Sequence, residues 1–166
     1  SVQKCGRIGY FLSGDYTQGA KIKDTIFRNC KAIACGKNAP RYNDWVVGFD
    51  ISENPNLENI KFIDCIAREN WESGFHAETR SDQKEVFFVR CISENNGQKP
   101  TASFGHGFIL HGNVYMDNCI SRNNFATGNN LNLGNGLVIY NGNDIVVKNC
   151  LFENNSGRGI RLVGIN

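Results

Sequence analysis

The stretch Asp64–Glu78, DCIARENWESGFHAE, sets the pattern that the rest of the chain repeats. Asp64 precedes Cys65, an aliphatic and a small residue follow, Asn70 opens a polar turn, and Gly74-Phe75 begins a new apolar segment. The same order returns as RCISENN (90–96) with GHGFILHG (105–112), as NCISRNN (118–124) with NGLVIYNG (135–142), and as NCLFENN (149–155) with RGIRLVG (158–164). Upstream, NCKAIAC (29–35) goes with VGFDIS (47–52), and a partial copy, KC followed by GYFLSG, opens the chain. This places six register cysteines at 5, 30, 65, 91, 119 and 150, in steps of 25, 35, 26, 28 and 31 residues. Such steps belong to short-period repeat architectures.

Aligned on the cysteine, the residue three before it is Val2, Phe27, Phe62, Phe88, Met116 or Val147, and the residue five before it is Thr25, Ile60, Val86, Val114 or Ile145. Residues two apart on a strand face the same way, so these are read as inward positions. Five after the cysteine stand Asn70, Asn96, Asn124 and Asn155, read as a ladder of left-handed bends that hydrogen-bond to one another. Gly9, Gly48, Gly74, Gly107, Gly136 and Gly159 then open a further strand with inward pairs such as Phe49/Ile51, Phe75/Ala77 and Phe108/Leu110.

Two or three short strands per repeat, with too few residues for a crossover helix, predict an all-β chain. The fold expected is a right-handed parallel β-helix of about six coils, forming one domain over residues 1–166. A propeller of four-stranded blades needs about 40 residues per repeat and fits less well. Neither SVQKCG nor RLVGIN resembles a polar cap, so further coils or partner chains are expected at both ends.

Net charge is only +2, which disfavours nucleic acid as a partner, and no long apolar run marks a membrane span. Six of the seven cysteines share one register and no C-x-x-C pair occurs, so free buried thiols are expected rather than zinc or disulfides. Cys35 falls where later repeats carry Asn. No calcium-binding nonapeptide repeat is present, so no cofactor is expected and calcium has no support.

The residues two and four after each glycine should point outward. The first outward row reads Phe11, Asp50, His76, Ile109, Val138, Arg161, and the second Ser13, Ser52, Glu78, His111, Tyr140, Val163. With coils about 4.8 Å apart, Asp50 should neighbour His76, and Glu78 should neighbour His111. All three histidines, His76, His106 and His111, fall in or beside this patch. The long turns 36–46, 97–105 and 125–134 should wall it on one side, where loops on a rigid scaffold carry function.

The segment from Val47 to Gly142 resembles the catalytic module of the mannuronan (alginate) C5-epimerases of the pectate-lyase-like β-helix superfamily. The resemblance rests on Gly48-Phe49-Asp50-Ile51-Ser52-Glu53, on DCIARENWESGF, on His106-Gly107-Phe108 and on GLVIYNG. It implies functional roles for Asp50, Glu53 and His106. The family's tyrosine before the Gly-Phe-Asp element is Val47 here, and its Pro-His is Ile51-Ser52. Arg7 is placed as the basic residue of the preceding coil.

Removing the C5 proton of a uronate requires a neutralised carboxylate and a base near pH 7. Arg7, or a protonated Asp50, suits the first role; His106 or His76 suits the second. His106 is taken as base, with Asp50 holding the substrate carboxylate or orienting the base and His76 beside it. A second proton-transfer group would come from Tyr140, Tyr42 or His76. Glu53, Glu78, His111, Trp45, Trp71 and Tyr42 are read as substrate-binding, the partner being an anionic polysaccharide outside the cell or at its surface. Two alternatives stand beside this. Asp50 and Glu78, about 7–8 Å apart on a diagonal, suit an inverting glycoside hydrolase. A non-catalytic carbohydrate-binding or structural β-helix would use Trp45, Trp71, Tyr42 and Phe104 as sugar platforms.

Overall fold

Two of the bends that shape the coil are set by columns of residues in left-handed backbone. The residue before each of Cys30, Cys65, Cys91, Cys119 and Cys150 (Asn29, Asp64, Arg90, Asn118, Asn149) has φ between 51° and 55°. The residue before each turn asparagine or its equivalent (Ala34, Glu69, Asn95, Asn123, Asn154) has φ between 52° and 57°. Asn and Asp tolerate this region best, and Arg90, the bulkiest member, is tied by two hydrogen bonds of 2.7 and 2.9 Å to Asp64 one coil earlier. Three-residue strands between such bends leave the chain no option but to coil.

The computed structural model describes residues 1–12, 22–37, 46–51, 57–78, 85–98, 104–126 and 132–164. Among them run nineteen short strands, β1–β19 in chain order, nearly all in three parallel sheets. Sheet 1, ahead of the cysteine, contains β4 (Ile26–Arg28), β8 (Ile60–Ile63), β11 (Glu85–Val89), β14 (Asn113–Asp117) and β17 (Ile145–Lys148). Sheet 2, after it, contains β1 (Val2–Gln3), β5 (Lys31–Ile33), β9 (Ile66–Arg68), β12 (Ile92–Glu94), β15 (Ile120–Arg122) and β18 (Leu151–Glu153). Sheet 3, after the glycine, contains β2 (Tyr10–Leu12), β6 (Phe49–Ile51), β10 (Phe75–Glu78), β13 (Phe108–His111), β16 (Leu137–Tyr140) and β19 (Ile160–Val163). The pair β3 (Ile22–Lys23) and β7 (Leu57–Glu58) stands apart. Each strand pairs with its counterpart one coil away, which is the parallel β-helix expected from the repeat. Among the described residues five coils place a strand in all three sheets, and the N-terminal coil contributes β1 and β2.

The core is a pair of aromatic columns. Tyr10, Phe49, Phe75 and Phe108 stack along the axis at 4.7, 4.7 and 4.8 Å. Phe27, Phe62 and Phe88 stack beside them at 4.9 and 5.0 Å. The two columns meet edge to face, as in Phe75–Phe88 at 5.7 Å and 79°, the geometry that ring quadrupoles favour. The glycine column lets the corner close. A Cβ at Gly74 would stand 2.0 Å from the Ser93 hydroxyl, which itself donates to the Gly107 carbonyl at 2.7 Å.

The cysteines after the first coil stack as the repeat predicts. Pairing of Lys31 with Ile66, Ile66 with Ile92, Ile92 with Ile120 and Ile120 with Leu151 carries Cys30, Cys65, Cys91, Cys119 and Cys150 into one column. Each inner thiol donates to the carbonyl of the phenylalanine one coil back: Cys65 to Phe27 and Cys91 to Phe62 at 3.3 Å, Cys119 to Phe88 at 3.4 Å. All seven cysteines are free, and burial pushes the Cys91 thiol well up.

Two expectations are corrected. Val2 pairs with Ala32, not with Phe27, so Cys5 falls level with Cys35 rather than Cys30. Cys5 and Cys35 therefore head the column that continues as Asn70, Asn96, Asn124 and Asn155. Those asparagines do not themselves take the left-handed bend, which lies one residue earlier. They are buried hydrogen-bonders, Asn70 to Asn96 to Asn124 to Asn155 at 2.9, 2.8 and 2.9 Å from amide nitrogen to amide oxygen. Each oxygen also receives a backbone N–H, so the turn is satisfied from coil to coil.

Candidate functional site

Parallel pairing of β6, β10, β13 and β16 sets the outward side chains of sheet 3 in register: Asp50 beside His76, Glu78 beside His111, and His111 beside Tyr140. Asp50 Oδ1 lies 2.9 Å from His76 Nδ1. Opposite a carboxylate, Nδ1 carries the hydrogen, and Nε2 carries the lone pair. Both side chains are nearly closed to solvent, with 3% of each residue exposed, and a low local dielectric strengthens their interaction. The His76 ring meets His111 edge-on at 6.1 Å, and His111 stacks on Tyr140 at 4.8 Å. Glu78, His111 and Tyr140 are half-buried, so the cluster grades from a closed end at Asp50 to an open edge. Ile109 and Val138 on the same face are buried too, although outward positions of an isolated coil would be open.

His106 lies elsewhere, in the column immediately before the glycines with Val47, Ser73, Asn135 and Arg158. Its backbone N–H donates to the Ser73 hydroxyl at 3.1 Å, and its Nδ1 accepts from the Asn135 backbone N–H at 3.0 Å. The Asn135 side-chain amide stands 3.2 Å from the same nitrogen. The proton therefore sits on Nε2, and the Nδ1 lone pair is already engaged. Burial first, and the Arg161 guanidinium second, push the His106 pKa down to about 4.

That shift has a consequence for stability. An unfolded chain protonates this imidazole near 6.5, whereas the folded one resists until about 4. The unfolded state binds the extra proton between these values, so stability should fall as pH drops from 6.5 towards 4. At about 1.4 kcal/mol per unit, the full loss is roughly 3 kcal/mol. Denaturant melts of wild type and His106→Gln across that window should show a slope in the first that flattens in the second.

The structure thus gathers Asp50, His76, Glu78, His111 and Tyr140 on sheet 3, and places His106 in the column that precedes it, within reach of the Arg161 guanidinium. Arg7 is exposed at the corner of the N-terminal coil, and Trp71 lies at the corner between sheets 2 and 3. Glu53, Trp45 and Tyr42 lie outside the described residues, as do large parts of the wall turns 36–46, 97–105 and 125–134. Ser73, Asn135 and Glu72, all buried, were not singled out by the sequence; Glu72 accepts the Val46 N–H at 2.9 Å. Only the place of Ser73 and Asn135 in the column before the glycine could have marked those two. Arg161, outward on β19 and bonded to the Asn132 carbonyl at 3.1 Å, adds a cation to the same face. Among the described residues, no group of three or more His, Cys, Asp or Glu side chains is placed to hold a metal ion.

A three-sheet parallel solenoid with a row of ionisable groups on one face defines a β-helix protein. The family model described as a right handed beta helix region matches residues 47–165, and the chain belongs to that family. No curated protein and no solved structure matches the chain. Membership brings the fold and no particular activity.

Proposed function

We propose that this β-helix acts on a uronate-containing polysaccharide lying along the outward face of sheet 3, by abstraction of the proton at C5. The observation that carries the reading is the buried Asp50–His76 pair at 2.9 Å. Asp50 holds the His76 ring in the tautomer whose Nε2 takes the proton, and stabilises the imidazolium that results. The electron pair left on C5 delocalises into the sugar carboxylate. Return of a proton to the opposite face gives epimerisation, and loss of the C4 oxygen as a leaving group gives a lyase product; Tyr140 is the acid in either case. His106 is assigned a positioning role instead of that of base, because its Nδ1 is engaged by Asn135. The hydrolase pair Asp50 and Glu78 is less favoured, since Asp50 is committed to His76. The anionic polymer places the protein's work outside the cell or at its surface.

Incubation with a panel of uronate polymers tests the reading. Ultraviolet absorbance of an unsaturated uronate should report elimination, or C5 inversion without chain cleavage should report epimerisation. New reducing ends with neither would move the assignment to hydrolysis.

A further inference from the structure

A polar concavity lies away from the sheet 3 cluster, at the corner where sheet 2 ends. It has a volume of about 130 Å³ and is lined by Ala34, Lys37, Glu69, Trp71 and Gln98, from three consecutive coils. The sequence explains its shape. At the position after Cys35, Asn70 and Asn96, the three coils carry Gly36, Trp71 and Gly97. Both glycines have positive φ, +88° and +92°. A Cβ at Gly36 would stand 2.2 Å from Val46 Cγ1 and 2.8 Å from Trp71 Cβ, and one at Gly97 only 1.7 Å from the Phe125 carbonyl oxygen. Only glycine fits on either side, so no side chain at those two positions overlies the indole. The corner backbone is held coil to coil, with Trp71 N–H donating to the Cys35 carbonyl and Gly97 N–H to the Asn70 carbonyl, both at 3.0 Å. Around the half-buried ring stand the exposed Lys37, the Glu69 carboxylate 3.6 Å from Arg68, and the Gln98 amide, bonded to the Asn95 carbonyl at 2.7 Å.

We propose that this corner is a binding subsite for one uronic-acid residue of an anionic polysaccharide. The apolar C–H face of the sugar packs on the Trp71 indole, its carboxylate meets Lys37, and its hydroxyls meet Glu69 and Gln98. An aromatic ring with polar groups at its edge suits a ligand that is apolar on its faces and polar on its rim. The cavity is smaller than the roughly 300–1,000 Å³ of pockets that enclose a whole small molecule, so it takes a single ring of a chain that runs on. It shares with the sheet 3 reading only the class of ligand, and it needs no chemistry there. Two contacts on one polymer raise the effective concentration of substrate at the other.

Affinity electrophoresis of the intact chain through gels containing polygalacturonate, alginate or an uncharged β-glucan tests this. Wild type and His76→Gln should both be retarded by an acidic polymer. Trp71→Ala should lose about tenfold in apparent affinity, the size expected of one aromatic contact, and Trp71→Phe should recover part of it. Lys37→Met should lose less, and its deficit should vanish at high salt. Retardation of Trp71→Ala equal to wild type, equal retention on the glucan, or no retardation of wild type by any polymer would each overturn the subsite. Far-ultraviolet circular dichroism establishes that Trp71→Ala is folded, and Trp71→Phe decides the matter if it is not. Lost turnover with retention intact concerns sheet 3; lost retention with turnover on short oligomers intact concerns this corner.

Discussion

Replacing His76 by Gln should lower turnover on the responsive uronate polymer by about 10²–10⁴-fold, the usual contribution of a positioned general base, while leaving KM nearly unchanged. Glutamine keeps a polar group against Asp50 but has no ring nitrogen to accept the C5 proton. Asp50→Asn should be comparably damaging. An amide at the 2.9 Å position can donate to Nδ1, which favours the tautomer with the hydrogen on Nε2 and removes the lone pair from where it is needed. In a serine-protease triad the corresponding change costs about 10⁴ in turnover. His106→Gln should be mild, because its imidazole already accepts from Asn135. Glu78→Gln should also be mild under this account. If Glu78→Gln and Asp50→Asn are both crippling while His76→Gln is not, the two carboxylates are working as a hydrolase pair.

The largest stability effect should come from Phe75→Ala. Phe75 is 1% exposed. Its ring stacks between Phe49 and Phe108 at 4.7 and 4.8 Å and meets Phe62 and Phe88 edge-on at 5.9 and 5.7 Å. Truncating a buried phenylalanine costs about 3–5 kcal/mol, and the loss of four ring contacts puts this site at the upper end. Against a total of about 5–15 kcal/mol for a domain, that is a large share. Denaturant unfolding should show a matching fall in midpoint. A fall in the m-value as well would mean that the coils beyond Phe75 have uncoupled, as nearest-neighbour stacking in a solenoid allows. Phe11→Ala, at a site 56% exposed, is the control and should stay within about 0.5 kcal/mol. Equal losses at the two positions would show that the aromatic column does not hold the coils together.

The repeat made most of this legible because a parallel coil places equivalent residues directly over one another. Gly48, Gly74, Gly107 and Gly136 fixed the register of sheet 3, and with it the pairing of Asp50 with His76 and of Glu78 with His111. The N-terminal coil was misaligned because cysteine occupies two different columns. The distance to the following glycine was the better guide, since Cys5 to Gly9 spans the same four residues as Asn70 to Gly74. The bend was displaced by one residue for a related reason. Asparagine is favoured both in left-handed backbone, as at Asn95 and Asn123, and in buried amide ladders, as at Asn96 and Asn124. The place of His106 beside a strand glycine was legible, but its engagement by the Asn135 backbone N–H was not, because the repeat reports position along the coil and not hydrogen-bond partners. The near-complete burial of Asp50 and His76 could not be read at all, since alternation reports inside and outside of the coil and not what covers the outside.

The most direct test of the central claim is exchange at C5. The responsive polymer should be incubated in D₂O with wild type and with His76→Gln, and deuterium at C5 followed by NMR. Wild type should remove the C5 hydrogen, seen as deuterium in the inverted or returned sugar or as a C4=C5 double bond, and His76→Gln should nearly abolish either in a protein that still melts cooperatively. Deuterium at C5 entering equally with both proteins, or chain cleavage by wild type with C5 fully protonated and no double bond formed, would contradict the claim.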